Sequence, residues 1–235
     1  MKRTAGLMIL FAFGVFAADF WQKPFMEWSD KDVSKMMTNS PWAKSNSVSM
    51  GGPGGGAGGQ MPAGGGGGGA RGGPQGGGGS EFGPGAQGSS APSFEIVARW
   101  QTALPIREAF VRLKFKDEAD KSADAKKVLE QSGDRPYEIV LSGNMGMFLR
   151  GKPEDTAKAL SEVTFLTTSR TGPIKPSQIQ VGRPGPSMDV LIVFPRTMPI
   201  TVDDKEVEFA TKLGTSNLKY KFKLKDMVVN GKLEM

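Results

Sequence analysis

The stretch EVEFATKLGTSNLKYKFKLK, residues 206–225, decides the fold class. Val207, Phe209, Thr211 and Leu213 alternate with Glu206, Glu208, Ala210 and Lys212, and Leu218, Tyr220, Phe222 and Leu224 alternate with four lysines. A period of two is the signature of a strand with one buried and one wet face. Turn residues Gly214-Thr215-Ser216-Asn217 separate the halves, so the stretch reads as an antiparallel hairpin. Placing Leu213 opposite Leu218 sets Thr211 against Tyr220, Phe209 against Phe222 and Val207 against Leu224 inside. Outside, Glu208 meets Lys223 and Glu206 meets Lys225, the opposite-charge pairing that cross-strand neighbours favour. A slip by one residue would bury the lysines, so the two faces are strongly specified. A polyanion-binding strip wants unpaired basic residues and exposed aromatics. Here the aromatics point inward, so the lysine row is a solvated face and nucleic acid is not an expected partner.

Working outward, FEIVARWQT (94–102) and YEIVLSG (137–143) read as strands. Pro105 opens a helix with Ile106, Ala109, Phe110 and Leu113 on one face, DEADKSADAKKVLEQ gives a second helix ending at Gly133, and KPEDTAKALSE a third. Strand-like pieces follow: VTFLTTS, SQIQVG, MDVLIVFP, MPITV, the hairpin itself and MVVN-GKLEM. Helices in the first half and antiparallel strands in the second predict an α+β domain over residues 93–235.

Before that domain the character changes twice. Of the chain's 33 glycines, 22 lie within residues 51–90. The span 49–92 is too poor in apolar residues to offset its ordering entropy and is expected to be a disordered linker. Residues 18–48 are rich in aromatics and carry a helix signature. Ser29 is placed as N-cap with Asp32 in the capping-box position, Val33, Met36 and Met37 share a face, and Ser40-Pro41 ends the helix. Trp28, Val33, Met36, Met37, Pro41 and Trp42 are therefore candidate docking residues. Their surface is either a detachable peptide for a protein partner or one more helix of the chain's own C-terminal domain.

Residues 1–17 pair Lys2 and Arg3 with an apolar run from Ala5 that is too short to span a bilayer, and Val15-Phe16-Ala17 suits a signal-peptidase site. The expectation is an exported chain, periplasmic, envelope-associated or secreted, with no membrane span after cleavage; the alternative is an apolar run kept as an uncleaved anchor. Removing Lys2 and Arg3 takes the net charge from +6 to +4, the modest excess of a soluble domain. The chain has no Cys and no His. Disulfides, thiolate chemistry, imidazole bases and His-ligated metal are thereby excluded, and no cofactor is expected.

The remaining constellations carry little chemistry. Asp203-Asp204 lacks the further spaced oxygens of a calcium loop and reads as a turn. Ser142-Gly143-Asn144-Met145-Gly146 follows a strand but has no His to complete a triad. Asp189, Asp203 and Glu206 show no glycosidase spacing. FMEWSDKDVSKMMTNSPWAK, RWQTALPIREA, FPRTMPITVDDKEVEF and KFKLKDMVVNGKLEM together resemble a group of uncharacterised exported bacterial proteins. That resemblance implies an aromatic helix ending in Ser-Pro-Trp, a Gly-rich spacer and a β-rich C-terminal domain, and it implies no activity. The functional expectation is a non-enzymatic exported protein that binds a protein or ligand. The alternative is a carboxylate-based hydrolase working without metal, His or Cys.

Overall fold

Ser29 starts the first helix as its spacing predicts. Its hydroxyl accepts from the Asp32 amide while the Asp32 carboxylate accepts from the Ser29 amide, closing a capping box on α1 (Asp30–Thr38). After the Ser40-Pro41 break the chain does not wander off. It forms β1 (Ala43–Ser49), which pairs antiparallel with β2 (Ser93–Trp100), Ala43 opposite Arg99 and Ser49 opposite Ser93. The computed structural model describes residues 19–49, 93–131, 135–183, 185 and 187–235. The expected signal sequence and, apart from Ser49, the expected linker lie outside these residues.

The strand β1 corrects the expected division of the chain. Residues 50–92 join two neighbouring strands of one hairpin, so they are an insertion into a ladder and not a tether between a peptide and a domain. The strand escaped notice because AKSNSVS carries only Ala43 and Val48 as apolar residues. It is the outer strand of its sheet, where polar residues are tolerated and deter edge pairing.

From β2 the chain enters α2 (Leu104–Phe115), with Pro105 in its first turn. Pro105, Ile106, Ala109 and Val111 are buried on it, whereas Leu113, expected on the same face, is 61% exposed. The expected single second helix is broken into a 3-10 turn at Lys116–Glu118 and α3 (Ala123–Leu129), which Ser122 caps. Gly133, its expected end, lies outside the described residues. Then come β3 (Tyr137–Gly143), α4 (Pro153–Val163), β4 (Phe165–Thr168), β5 (Gln178–Val181), β6 (Met188–Phe194), β7 (Glu206–Leu213), β8 (Ser216–Lys223), β9 (Val228–Val229) and β10 (Lys232–Leu233). The fold is α+β, with mainly antiparallel sheet. MPITV is not a strand: Val202–Asp204 is a 3-10 turn.

The strands form a five-stranded sheet in the order β1-β2-β3-β6-β5 and a three-stranded sheet in the order β4-β7-β8. On the inner face of the first, Ile96, Ala98 and Trp100 line up with Ile139, Leu141, Val190 and Ile192, all fully buried. The second sheet packs onto that face: Phe222 meets Trp100 edge-on at 5.7 Å and Phe209 meets Phe194 at 6.2 Å. The Tyr220 hydroxyl donates to the Ile96 carbonyl at 3.0 Å, tying the sheets, and burial pushes the phenol above its ordinary range. The Asn46 amide likewise donates to the Lys219 carbonyl across the β1 edge.

The 206–225 hairpin keeps its expected faces but not its expected register. Leu213 pairs with Ser216 and Thr211 with Leu218, a shift of two residues. The turn tightens to Gly214-Thr215 because Gly214 takes φ +58°, where a side chain on Cβ would be strained. A two-residue shift preserves alternation, so the inner face stays apolar. The lysines find their acids one step diagonally: Lys219 with Glu208 at 3.3 Å, and Lys221 with Glu206 at 3.0 Å.

Asp204 is not the plain turn residue its sequence suggests. It is 1% exposed and gripped bidentately by Arg170, with Thr168 and the Thr201 amide donating as well. The Arg170 hydrogen bonds hold its carboxyl well below the usual carboxylate range. The pair clamps the loop after β4 to the turn before β7.

Candidate functional site

The candidate docking residues sit largely inside the molecule. Trp28, Val33, Met36 and Trp42 are buried in the main core, and Met37 and Pro41 are half-buried. Trp28 donates from Nε1 to the Lys23 carbonyl at 3.2 Å and meets Phe20 edge-on. Trp21 stands edge-on to Trp42. Burying one such side chain is worth about 1.5–3 kcal/mol. The detachable-peptide expectation is thus corrected: α1 and β1 are built into the domain, docked on α2 and β2. Of the carboxylates weighed from sequence, Asp189 joins Ser142 and Arg99, Glu206 pairs with Lys221, and Asp203 is exposed; they share no site.

Trp42 leads elsewhere. Its Nε1 donates to the Glu234 carbonyl at 2.8 Å, fastening the β9–β10 hairpin over the start of α2. That hairpin turns at Asn230-Gly231, both residues at positive φ, and the Glu234 amide donates to the Met227 carbonyl at 3.0 Å. Beneath it lies a cavity of about 540 Å³ between the first turn of α2, the end of α3, the start of β3, the segment after β6 and β10. That volume lies within the range of small-ligand sites.

The wall is strongly cationic. Arg107, Arg135, Arg196 and Lys232 line it, with Glu234 the acidic residue among them. Arg107 is 7% exposed and is held by carbonyls: Nε donates to Thr102, and Nη1 to Val128 and Leu129. No described acid forms an ion pair with it; burial depresses its pKa, the charges of Glu234 and Glu108 oppose that, and Arg135 adds to it. The Arg196 guanidinium stacks 5.2 Å from the Tyr137 ring centre, and its Nε is buried without a hydrogen-bond partner. Thr102, also on the wall, has an orphaned buried Oγ1. The Tyr137 hydroxyl accepts from the Ile200 amide at 2.8 Å, so one side chain sets two pieces of the wall. Arg135 is partly neutralised by Glu138 at 3.5 Å and Lys232 by Glu234 at 3.4 Å.

The start of α2 contributes the positive end of a helix. Its N-cap, Ala103, offers no side-chain acceptor, and the Leu104 amide donates at 3.4 Å to Glu234 Oε2. One turn on, burial raises the Glu108 carboxyl to about 7, with Arg107 opposing and Glu234 reinforcing. The arrangement is suited to holding negative charge in a partly apolar chamber. Sequence reasoning missed it because its four cations come from four separated positions of the fold. The one local signal was Arg107, which follows Ile106 on the buried side of α2. Among the described residues, no helix is long and apolar enough to cross a membrane. No family model, curated protein or solved structure matches the chain.

Proposed function

We propose that this chain is a non-enzymatic, exported binding protein that captures a small anion in the cavity at the start of α2. One observation carries the reading: four cationic side chains from separate elements converge on one chamber, and among the described residues Glu234 is the one acidic side chain on its wall. Such charges are retained in a fold when something compensates them. Export rests on the Lys2-Arg3 start and the apolar run behind it. The hydrolase alternative needs two acids flanking a bond, and among the described residues the cavity wall carries one, Glu234.

Calorimetric titration of the full chain with phosphate and with small carboxylates tests the proposal. A charge-assisted hydrogen bond contributes about 1.5–3 kcal/mol, so Arg196→Gln should weaken binding roughly ten- to a hundredfold. The combined Arg135→Gln and Arg196→Gln chain should release no heat. Binding unaffected by both substitutions, or no anion bound by the unaltered chain, would reject it.

A further inference from the structure

The cavity does not look equally ready for every anion. Beyond its cations it is lined by Leu104, Leu129, Ile200, Val202, Leu233 and Met235. Val202 is 44% exposed, unusual for a large apolar residue in this fold. A bare phosphate would leave that surface wet, whereas a charged head on an apolar body would cover it.

The chain also supplies a sample of what it binds. The Glu234 carboxylate already occupies the uncapped start of α2, below Arg107 and beside Lys232. Its side-chain contacts are long, 3.4 Å to the Leu104 amide and 3.4 Å to Lys232. Hydrogen bonds at that distance are weak. The backbone of the same residue is held firmly, by Trp42 at 2.8 Å and Met227 at 3.0 Å. The hairpin's attachment therefore does not depend on the carboxylate, whose side chain is 12% exposed and is what a ligand would have to displace.

Building on the anion-binding reading, we infer that the cavity's ligand is a carboxylate carried on a small apolar body. Its head replaces the Glu234 carboxylate at the Leu104 amide and Arg107, and its body lies on the apolar wall. Glu234 acts as an internal competitor that offsets the charge of the buried Arg107 and of the exposed Lys232 when the chamber is empty of ligand. This accounts for an α2 without its own cap and for a strongly cationic wall carrying a single, loosely held acid.

The test uses hexanoate, benzoate and inorganic phosphate against the full chain and Glu234→Gln. Glutamine keeps the backbone bonds to Trp42 and Met227 but removes the competing charge. Hexanoate and benzoate should bind at least tenfold more tightly than phosphate, and E234Q should bind both carboxylates about tenfold more tightly still. A thermal melt verifies that E234Q is folded. If it is not, the Leu104 amide resonance of the unaltered chain gives the answer: it should move on adding hexanoate, and at lower concentration than with phosphate. Phosphate binding as tightly as hexanoate, unchanged carboxylate affinity in E234Q, or a still Leu104 resonance would overturn the inference while leaving anion binding intact. Absence of binding by all three probes in both chains would overturn the anion-binding reading itself.

Discussion

Replacing residues 50–92 by Asn-Gly should leave the domain folded and make it more stable. Ser49 and Ser93 are already partners across the β1–β2 ladder, so the excision joins points that the fold holds side by side. Asn-Gly is the preferred two-residue connection for antiparallel strands. Closing a loop costs entropy that grows as (3/2)RT ln n, about 0.6 kcal/mol per doubling. Going from roughly forty residues to two or four is three to four doublings, so the gain is about 2 kcal/mol. For a domain of this size 1 kcal/mol moves the thermal midpoint by about 2–4 °C, which predicts a rise of roughly 4–8 °C. The assay is a thermal melt followed by near-ultraviolet circular dichroism, where the buried Trp28, Trp42 and Trp100 report. A midpoint falling by several degrees, or an unfolded product, would refute the placement of β1 beside β2. Deleting residues 19–49 should do the opposite and abolish folding, since it strips the sheet of an outer strand and the core of two tryptophans.

Three further outcomes follow from buried polar groups. Because burial raises the Glu108 carboxyl from 4.5 to about 7, the folded state holds that proton more tightly than the unfolded chain. Stability from this group is full below pH 4.5 and falls by up to about 3 kcal/mol as pH rises to 7. Glu108→Gln should flatten the urea midpoint between pH 5 and 8, and an unchanged slope would contradict the burial. Asp204 has the opposite sign: its depressed carboxyl contributes stability above pH 3.8 that is lost as pH falls below it. Asp204→Asn leaves Arg170 without its acid and should cost about 2–3 kcal/mol at pH 7, while removing the acid-side loss that the unaltered chain shows. Trp42→Phe keeps most of the packing but strips the bond to the Glu234 carbonyl; it should cost about 1–2 kcal/mol in a urea melt, against about 3–5 kcal/mol for Trp42→Ala.

What could be read in the sequence was what is local. The capping box at Ser29 and Asp32 and the alternation of 206–225 each involve neighbours a few residues apart. The hairpin register slipped by two because alternation fixes faces and not turn length, and Gly214 decided the latter. β1 was illegible because its partner lies beyond residues 50–92 and its outer position allows serine and lysine where an inner strand would show valine. Trp42 is a candidate docking residue by sequence, and its indole is bonded to the carbonyl of Glu234, 192 residues away, which no local pattern announces. The cavity was illegible for the same reason: Arg107, Arg135, Arg196 and Lys232 have no spacing in common and are convergent only once the sheets are stacked.

Crystals grown with 4-bromobenzoate test most directly whether the cavity takes a carboxylate on an apolar body, because bromine's anomalous scattering marks the ligand independently of any assumed pose. A bromine peak is expected against Ile200 and Leu233, with the carboxylate at the Leu104 amide between Arg107 and Arg196 and the Glu234 side chain turned out of the chamber. A cavity without bromine, or bromine there with Glu234 still bonded to Leu104, would contradict that expectation.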